Sequence, residues 1–176
     1  MIPSREQCLR VLDEMPENVK QHCFAVEAIA VREAERLGAD VKLCSRAALL
    51  HDCRRLSPEH ADVAADLVAA KCWPELATAI RRHPLHCILT DPPHTMEERI
   101  VFYADKRVIG SKEVSLDERL SDIVERYGKD PQSKKTLLAA AQKARELEEQ
   151  LRANSGSLQS RLPPQERTKE NIHSQD

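Results

Sequence analysis

The strongest constraint on the fold is the spacing of the apolar residues, which recur every three or four positions along most of the chain. Glycine is scarce, with 4 residues in 176, whereas alanine, leucine, glutamate and arginine are abundant. Such spacing places apolar side chains on one face of an α-helix, and these residue types have high helix propensity. The sequence therefore predicts an all-α fold, and its length suits a single domain with its own hydrophobic core.

Capping and breaking residues divide the chain into about seven helices. Three capping boxes begin at Ser4, Thr95 and Ser115, and Pro16 and Pro74 each suit a first helical position. The last helix, over 131–153, has one apolar stripe, which either lies on the domain or pairs with a second copy to form a homodimer. The polar residues 154–176 have scarcely an anchor for a core and are predicted to be a disordered tail.

Charge and cysteine placement exclude several classes of function. The formal net charge is −2 and basic residues are mixed with acidic ones, so binding to duplex DNA or RNA is not expected. No apolar run approaches the ~20 residues that span a bilayer, and the first residues lack a signal-peptide pattern. We therefore expect a cytoplasmic protein with no membrane partner. The six cysteines are widely spaced without a CxxC pair, which favours buried, reduced thiols over disulfides or a zinc site.

Six side chains suited to a transition metal lie at inward-facing positions on five successive predicted helices. Neutral imidazoles and carboxylates are ligands that Fe²⁺, Mn²⁺, Co²⁺ and Zn²⁺ accept, and six are enough for two ions that share a carboxylate. Two of the acids follow apolar runs, "AALL" and "IVFYA", where burial is costly unless a cation compensates. The six are His22, His51, Asp52, His60, His83 and Asp105.

Taken singly, several of these residues have simpler interpretations. His22 suits a hydrogen-bonded core histidine, His60 a solvated side chain near a helix start, and Asp105 a surface charge. His86 and His94 lie in a proline-rich loop and are left outside the metal set. Only the joint pattern favours a metal site.

That ordered pattern resembles the HD superfamily of metal-dependent phosphohydrolases over about residues 16–110. The residues that carry the resemblance lie in "LLHDCRR", "EHADVAADLV", "AIRRHP" and "RIVFYADKRV". The chain is most similar to the bacterial HDIG-type branch with six ligands and two metals, which includes symmetrical diadenosine tetraphosphate hydrolases. The resemblance implies an HD-type helical bundle over 1–130.

The resemblance also implies a role for each ligand. His22, His51, Asp52 and Asp105 match the four residues that hold the first metal, with Asp52 as the bridge. Asp52 and His51 are then the catalytic pair. The extra pair that completes a second metal site is His60 and His83.

Three cations near the ligands are candidates for binding substrate phosphate. Arg55 stands where many members of the superfamily have a lysine, and Lys106 and Arg82 lie beside other ligands. The chain has "HDCRR" in place of "HDIGK" and "ADKRVIG" in place of "ADKIEP", so the identity of the substrate stays open. It has no GYP sequence, so hydrolysis of cyclic di-GMP is not expected.

These features predict a phosphohydrolase that cleaves a phosphoester or phosphoanhydride of a nucleotide or small phosphorylated metabolite. Its nucleophile would be a water that bridges two cations and loses a proton near neutral pH. Two alternatives remain open: a di-iron oxygenase with the same ligands, and a non-catalytic HD module that senses nucleotides or metals and binds a partner through its last helix. Trp73 suits the core better than a base-stacking role.

Overall fold

The computed structural model describes residues 1–159, with side chains as far as residue 154, and these residues form nine α-helices and one small hairpin. The all-α prediction is confirmed. Strands β1 (Val108–Ile109) and β2 (Lys112–Glu113) pair antiparallel. The helices are α1 (Arg5–Leu12), α2 (Glu17–Leu37), α3 (Val41–Leu50), α4 (His60–Ala70), α5 (Pro74–Arg81), α6 (Cys87–Thr90), α7 (Met96–Asp105), α8 (Leu116–Tyr127) and α9 (Pro131–Gln159).

Two of the three predicted capping boxes form in full. At Ser4 and at Ser115 the hydroxyl accepts a hydrogen bond from the backbone N–H of the third helical residue, Gln7 or Glu118. The side chain of that residue accepts one from the backbone N–H of the serine in return. At Thr95 only the first of these bonds is present. The carboxylate of Glu98 is engaged elsewhere, since it accepts from the backbone of His94 and from Arg82.

Several helix boundaries differ from the prediction at the places where the chain turns. The apolar spacing predicts a third helix over 41–54, but α3 ends at Leu50, and residues 50–57 continue in tight turns whose carbonyl groups bond to the N–H three residues on. The Ser57-Pro58 pair predicts the start of the next helix, but α4 begins at His60. The helix after Thr95 is predicted to reach Val108, but α7 ends at Asp105, because the chain then enters the hairpin, which Gly110 closes with a φ of 62°. The four-residue α6 was not predicted.

The core consists of two clusters that meet at helices α2, α3 and α7. One cluster lies among α1, α3, α4 and α5 and includes Leu50, Leu76 and Ile80. The other lies among α2, α7, α8 and α9 and includes Ile29 and Phe102. Helices α2, α3 and α7 pack against one another, and α5 packs against both α3 and α7. Four helices therefore converge where the two clusters meet.

Helix α9 lies along the domain with its apolar stripe facing inward. Ala141, Ala144, Leu147 and Leu151 are buried, whereas Leu138 is exposed. The first of the two predicted roles of the stripe is thus confirmed, while the homodimer stays a prediction. The helix extends past the predicted end at 153, and residues 160–176 of the predicted tail lie outside the described residues.

The remaining predictions about the whole chain concern membranes and cysteines. Within residues 1–159 no helix combines the length and the apolar character needed to cross a bilayer. All six cysteines are free thiols, and Cys8, Cys23, Cys44 and Cys53 are buried. Their predicted role as small buried side chains is confirmed for these four.

Candidate metal centre

The six predicted ligands come together at the point where the two core clusters meet. His22 is on α2, His51 and Asp52 follow α3, and His60 begins α4. His83 follows α5, and Asp105 ends α7. The ring centroid of His51 lies 5.3 Å from that of His22 and 4.9 Å from that of His83. The centroids of His60 and His83 are 5.3 Å apart.

Three of these residues form a group that we call the inner half of the centre: His22, His51 and Asp105. The Oδ1 atom of Asp105 lies 3.1 Å from Nε2 of His22 and 3.6 Å from Nε2 of His51. Both Asp105 and His51 are buried. One carboxylate oxygen and two imidazole nitrogens therefore face a common point.

His60 and His83 form the outer half of the centre, and Asp52 lies between the halves. Oδ2 of Asp52 faces inward, at 3.6 Å from Nε2 of His51 and 3.9 Å from Nε2 of His22. Oδ1 faces outward, at 3.3 Å from Nε2 of His60 and 3.6 Å from Nε2 of His83. The two oxygens of one carboxylate thus address two separate groups of nitrogens, which is the arrangement that a bridging ligand requires.

Backbone carbonyl groups orient three of the four imidazoles. Nδ1 of His22 lies 2.8 Å from the carbonyl oxygen of Gly110. Nδ1 of His51 lies 2.7 Å from that of Ala48, and Nδ1 of His83 lies 2.6 Å from that of Ile80. A carbonyl oxygen can only accept a hydrogen bond, so Nδ1 of each of these rings carries the proton and donates the bond. The lone pair of Nε2 is then directed into the centre, as in metal-binding histidines.

The donor set fits divalent cations. Nε2 of His51 and Oδ1 of Asp52 are buried and make no hydrogen bond to any described residue, and such atoms are costly unless a partner compensates. Ligands about 2.0–2.2 Å from one ion in tetrahedral or octahedral geometry lie roughly 3.0–3.5 Å apart. The spacings of 3.1–3.9 Å in the centre are close to that range. Among the side chains that the structure describes, two groups meet the spacing for a metal site: His22, His51, Asp105 and His51, Asp52, His83.

The same proximity shifts the proton affinities of the metal-free groups. Burial opposes protonation of His51, but Asp52, Asp105 and Cys23 together outweigh it and raise the pKa of His51 well above its ordinary value. Burial, together with the charge of His51, lowers the pKa of His83 to about 3. Burial also opposes ionisation of Asp105, but Lys106 and His22 hold its pKa well below the usual range. The carboxylate and the His83 imidazole are thus in the forms that bind cations.

Lys106 has a different position from the one predicted for a phosphate-binding residue. Its side chain is only 3% exposed. Its ammonium donates to Oδ2 of Asp105 and, at 2.8 Å, to the carbonyl oxygen of His83. Lys106 therefore links the inner half to the outer half and orients Asp105. The only sequence signal for this role is the adjacency of Lys106 to a ligand.

The two predicted arginines differ in their relation to the centre. Arg82 is turned away, since its guanidinium pairs with Asp91 at 2.9 Å and with Glu98 at 3.0 Å. Arg55 lies at the centre, with Nη1 3.3 Å from Nε2 of His60 and 3.6 Å from Oδ1 of Asp52. Its side chain is 41% exposed. Of the three predicted phosphate-binding cations, Arg55 alone combines contact with the centre and access to solvent.

Sequence reasoning missed two backbone features that shape the centre. The carbonyl group of Gly110, in the hairpin, holds His22. Glu59, directly before His60, has a φ of 51°, in the left-handed region that a residue with a Cβ seldom adopts. Neither feature is visible as a residue type with metal chemistry. The predicted core role of Trp73 is confirmed, because it packs with the residues of α3 to α5.

Comparisons with known proteins agree with this geometry. A family model described as HD domain matches residues 19–108. An uncharacterized protein of Methanocaldococcus jannaschii is 30% identical in an alignment of 155 positions, which covers 76% of this chain and 92% of that protein. No solved structure matched the chain.

Two further relatives are archaeal tRNA (cytidine(56)-2'-O)-methyltransferases. The protein from Picrophilus torridus is 26% identical over 88% of this chain, and the one from Thermoplasma volcanium is 27% identical over 73%. The matched regions are only 48% and 42% of those two proteins, so the chain spans less than half of their length. These three relatives are archaeal, and the assignment to the bacterial six-ligand branch stays a prediction.

The family match spans half of the chain and contains every residue of the inner and outer halves. It includes the helices that hold them, from α2 to α7. The chain therefore belongs to the HD domain family.

Proposed function

We propose that this chain is a phosphohydrolase dependent on divalent metal ions, which cleaves a phosphoester or phosphoanhydride bond in a nucleotide or small phosphorylated metabolite. The observation that carries the proposal is the position of Asp52. Its two oxygens face two groups of imidazole nitrogens, and Oδ1 has no hydrogen bond to a described residue. Such a carboxylate suits two cations better than it suits a protein core.

The residues of the chain divide the work of such a reaction. The inner half, with Asp52, His60 and His83, would hold the metal, for which Mn²⁺, Fe²⁺, Co²⁺ and Zn²⁺ are the candidates. Bound divalent ions supply Lewis acidity and lower the pKa of a coordinated water. Arg55 is the cation at the solvent-facing edge, and its guanidinium matches two phosphate oxygens at once. The core behind the inner half keeps bulk water from one side of the site.

The position of Arg55 also favours hydrolysis over the two alternative functions. A half-exposed guanidinium beside the ligands suits a phosphorylated substrate, whose oxygens it can bind in pairs. A non-catalytic module has no need of six converging ligands with fixed rings. We therefore propose the hydrolase first and the di-iron oxygenase second, since the donor set suits iron equally well.

The methyltransferase relatives widen the range of phosphorylated substrates to be tested. Their name assigns them a reaction on tRNA. A phosphate at an RNA end has the same chemistry as the phosphate of a nucleotide, and a terminus does not require a protein surface that binds a duplex. We include such ends among the proposed substrates, together with dinucleoside polyphosphates and nucleoside mono- and triphosphates.

The test is phosphate release by the purified full-length chain loaded with one metal at a time. Asp52→Ala is the inactivating variant, and Asp62→Ala is the matched control, because Asp62 is exposed and pairs with Arg81. We expect metal-dependent release from at least one substrate class, its loss in Asp52→Ala and its retention in the control. Equal release by both variants, or none with any metal, would contradict the proposal. Turnover that requires oxygen and iron would support the oxygenase.

A further inference from the structure

The guanidinium of Arg55 lies at the place where a second cation would bind. Oδ1 of Asp52 is surrounded by three nitrogen groups: Nε2 of His60 at 3.3 Å, Nε2 of His83 at 3.6 Å and Nη1 of Arg55 at 3.6 Å. Arg55 also lies 3.3 Å from Nε2 of His60. It therefore contacts two of the three groups that form the outer ligand set.

The inner half shows no such arrangement. Its cation, Lys106, donates to Oδ2 of Asp105, whereas the other oxygen, Oδ1, faces His22 and His51. The Lys106 ammonium therefore leaves the metal-facing oxygen of Asp105 available. In the outer half, the Arg55 guanidinium lies at the metal-facing oxygen of Asp52 itself. Lys106 thus leaves room for an ion in the inner half, whereas Arg55 lies where an ion of the outer half would bind.

We propose that Arg55 is a built-in competitor of the second metal ion, so that the two halves bind cations with unequal affinity. This inference rests on the proposed function and specifies how its centre is loaded. The inner half binds its ion without displacing any group of the protein. An ion in the outer half must first displace the guanidinium, because like charges about 4 Å apart repel by an appreciable energy even at the dielectric constant of water.

The solvent-facing side of Arg55 indicates where the guanidinium goes. The side chain of Arg55 is 41% exposed. Burial lowers the pKa of Arg55, but the charge of Asp52 and the hydroxyl of Tyr127, at the end of α8, are among the groups that raise it above its ordinary value. Tyr127 is itself 55% exposed. Arg55 thus has neighbours on both sides, Asp52 inward and Tyr127 outward. A phosphate group at the rim would draw the guanidinium outward and leave the outer ligands to an ion, which couples substrate binding to metal binding.

The experiment is a titration of the metal-free chain with Mn²⁺. Calorimetry measures the affinity of each site, and electron paramagnetic resonance detects magnetic coupling between two neighbouring ions. For the wild type we expect one tight site and one weaker site. In Arg55→Gln the second site should become about tenfold tighter or more, because the repulsion is removed. Arg55→Lys keeps the charge and should keep the second site weak.

Arg54→Gln is the matched control. It removes the same charge one residue away, but Arg54 pairs with Glu14 at 2.6 Å on the surface, outside the centre. Its second site should remain as weak as that of the wild type. Inorganic phosphate should tighten the second site of the wild type more than that of Arg55→Gln, since only the wild type has a guanidinium to withdraw. Circular dichroism should show that all variants keep their helix content.

Two equally tight sites in the wild type, or an unchanged second site in Arg55→Gln, would overturn the inference. Absence of any Mn²⁺ binding would overturn both the inference and the proposed function. Unequal sites that respond to Arg55→Gln, in a protein that releases phosphate from no substrate, would support the inference while contradicting the hydrolase. The failures of the two proposals are therefore distinguishable.

Discussion

The inner and outer halves of the centre use the same kinds of ligand but differ in how firmly the protein holds them. In the inner half, His22 and His51 are fixed by carbonyl groups and Asp105 by Lys106. In the outer half, a carbonyl group fixes His83 as well, but His60 follows a residue in the left-handed region, is partly exposed and faces Arg55. Rigid ligands lose little entropy on binding, so the inner half is organised in advance, whereas the outer half is adjustable at His60.

The largest effect is expected from His51→Ala, because this buried residue directs its one available lone pair, on Nε2, into the inner half while Nδ1 bonds to the carbonyl group of Ala48. The variant should lose the inner ion, and phosphate release should fall about a thousandfold, which corresponds to roughly 4 kcal/mol of activation free energy. Metal content measured by mass spectrometry and steady-state kinetics test this. His86→Ala, an exposed histidine near α6, is the control and should behave as the wild type. Retention of both ions by His51→Ala would contradict the assignment of His51 to the inner half.

A smaller and one-sided effect is expected from His60→Ala. At saturating Mn²⁺ the variant should keep the inner ion and bind the second ion about 100-fold more weakly, since changing even an outer partner of a ligand costs about 10- to 100-fold in affinity. A titration that resolves the two sites measures this. The matched substitution in the inner half, His22→Ala, should weaken the tight site instead. The same affected site in both variants would contradict the division into halves.

Lys106→Met should weaken the inner ion by about tenfold, the lower end of the range for a residue that orients a ligand. It also leaves Asp105 buried beside an unfilled site, and a bound cation replaces the missing charge. The melting temperature of the metal-free variant should therefore fall more than that of the metal-bound variant. Lys112→Met, on the exposed strand β2, is the control. Equal losses with and without metal would indicate a packing role alone.

The smallest effect is expected from Ser115→Ala, at the start of α8 and outside both halves. Loss of the capping box should lower the free energy of unfolding by about 1 kcal/mol. For a chain of this size, that corresponds to a melting temperature lower by roughly 2–4 °C. Ser4→Ala, at the other complete capping box, should have a similar effect. Any change in metal affinity in either variant would show that the halves depend on helix ends remote from them.

The fold was largely accessible from local sequence signals. Apolar spacing, capping residues and prolines predict helices because each signal acts within one or two turns of the backbone. The errors lie where a tertiary contact overrides a local preference. Glu98 caps no helix start because Arg82 and the backbone of His94 engage its carboxylate. Helix α7 ends three residues early because the hairpin that follows carries the carbonyl group that holds His22.

The sequence by itself determined the helical class and the identities of the six side chains that meet in the centre, because residue type fixes donor chemistry and periodicity fixes the buried face. The tertiary structure alone decided which oxygen of Asp52 faces which imidazoles, and which cations belong to the site. Lys106, Arg82 and Arg55 look alike as charged neighbours of ligands in the sequence. Only the packing of the helices makes Lys106 a buried support of the centre, turns Arg82 outward to Asp91 and places Arg55 in the outer half.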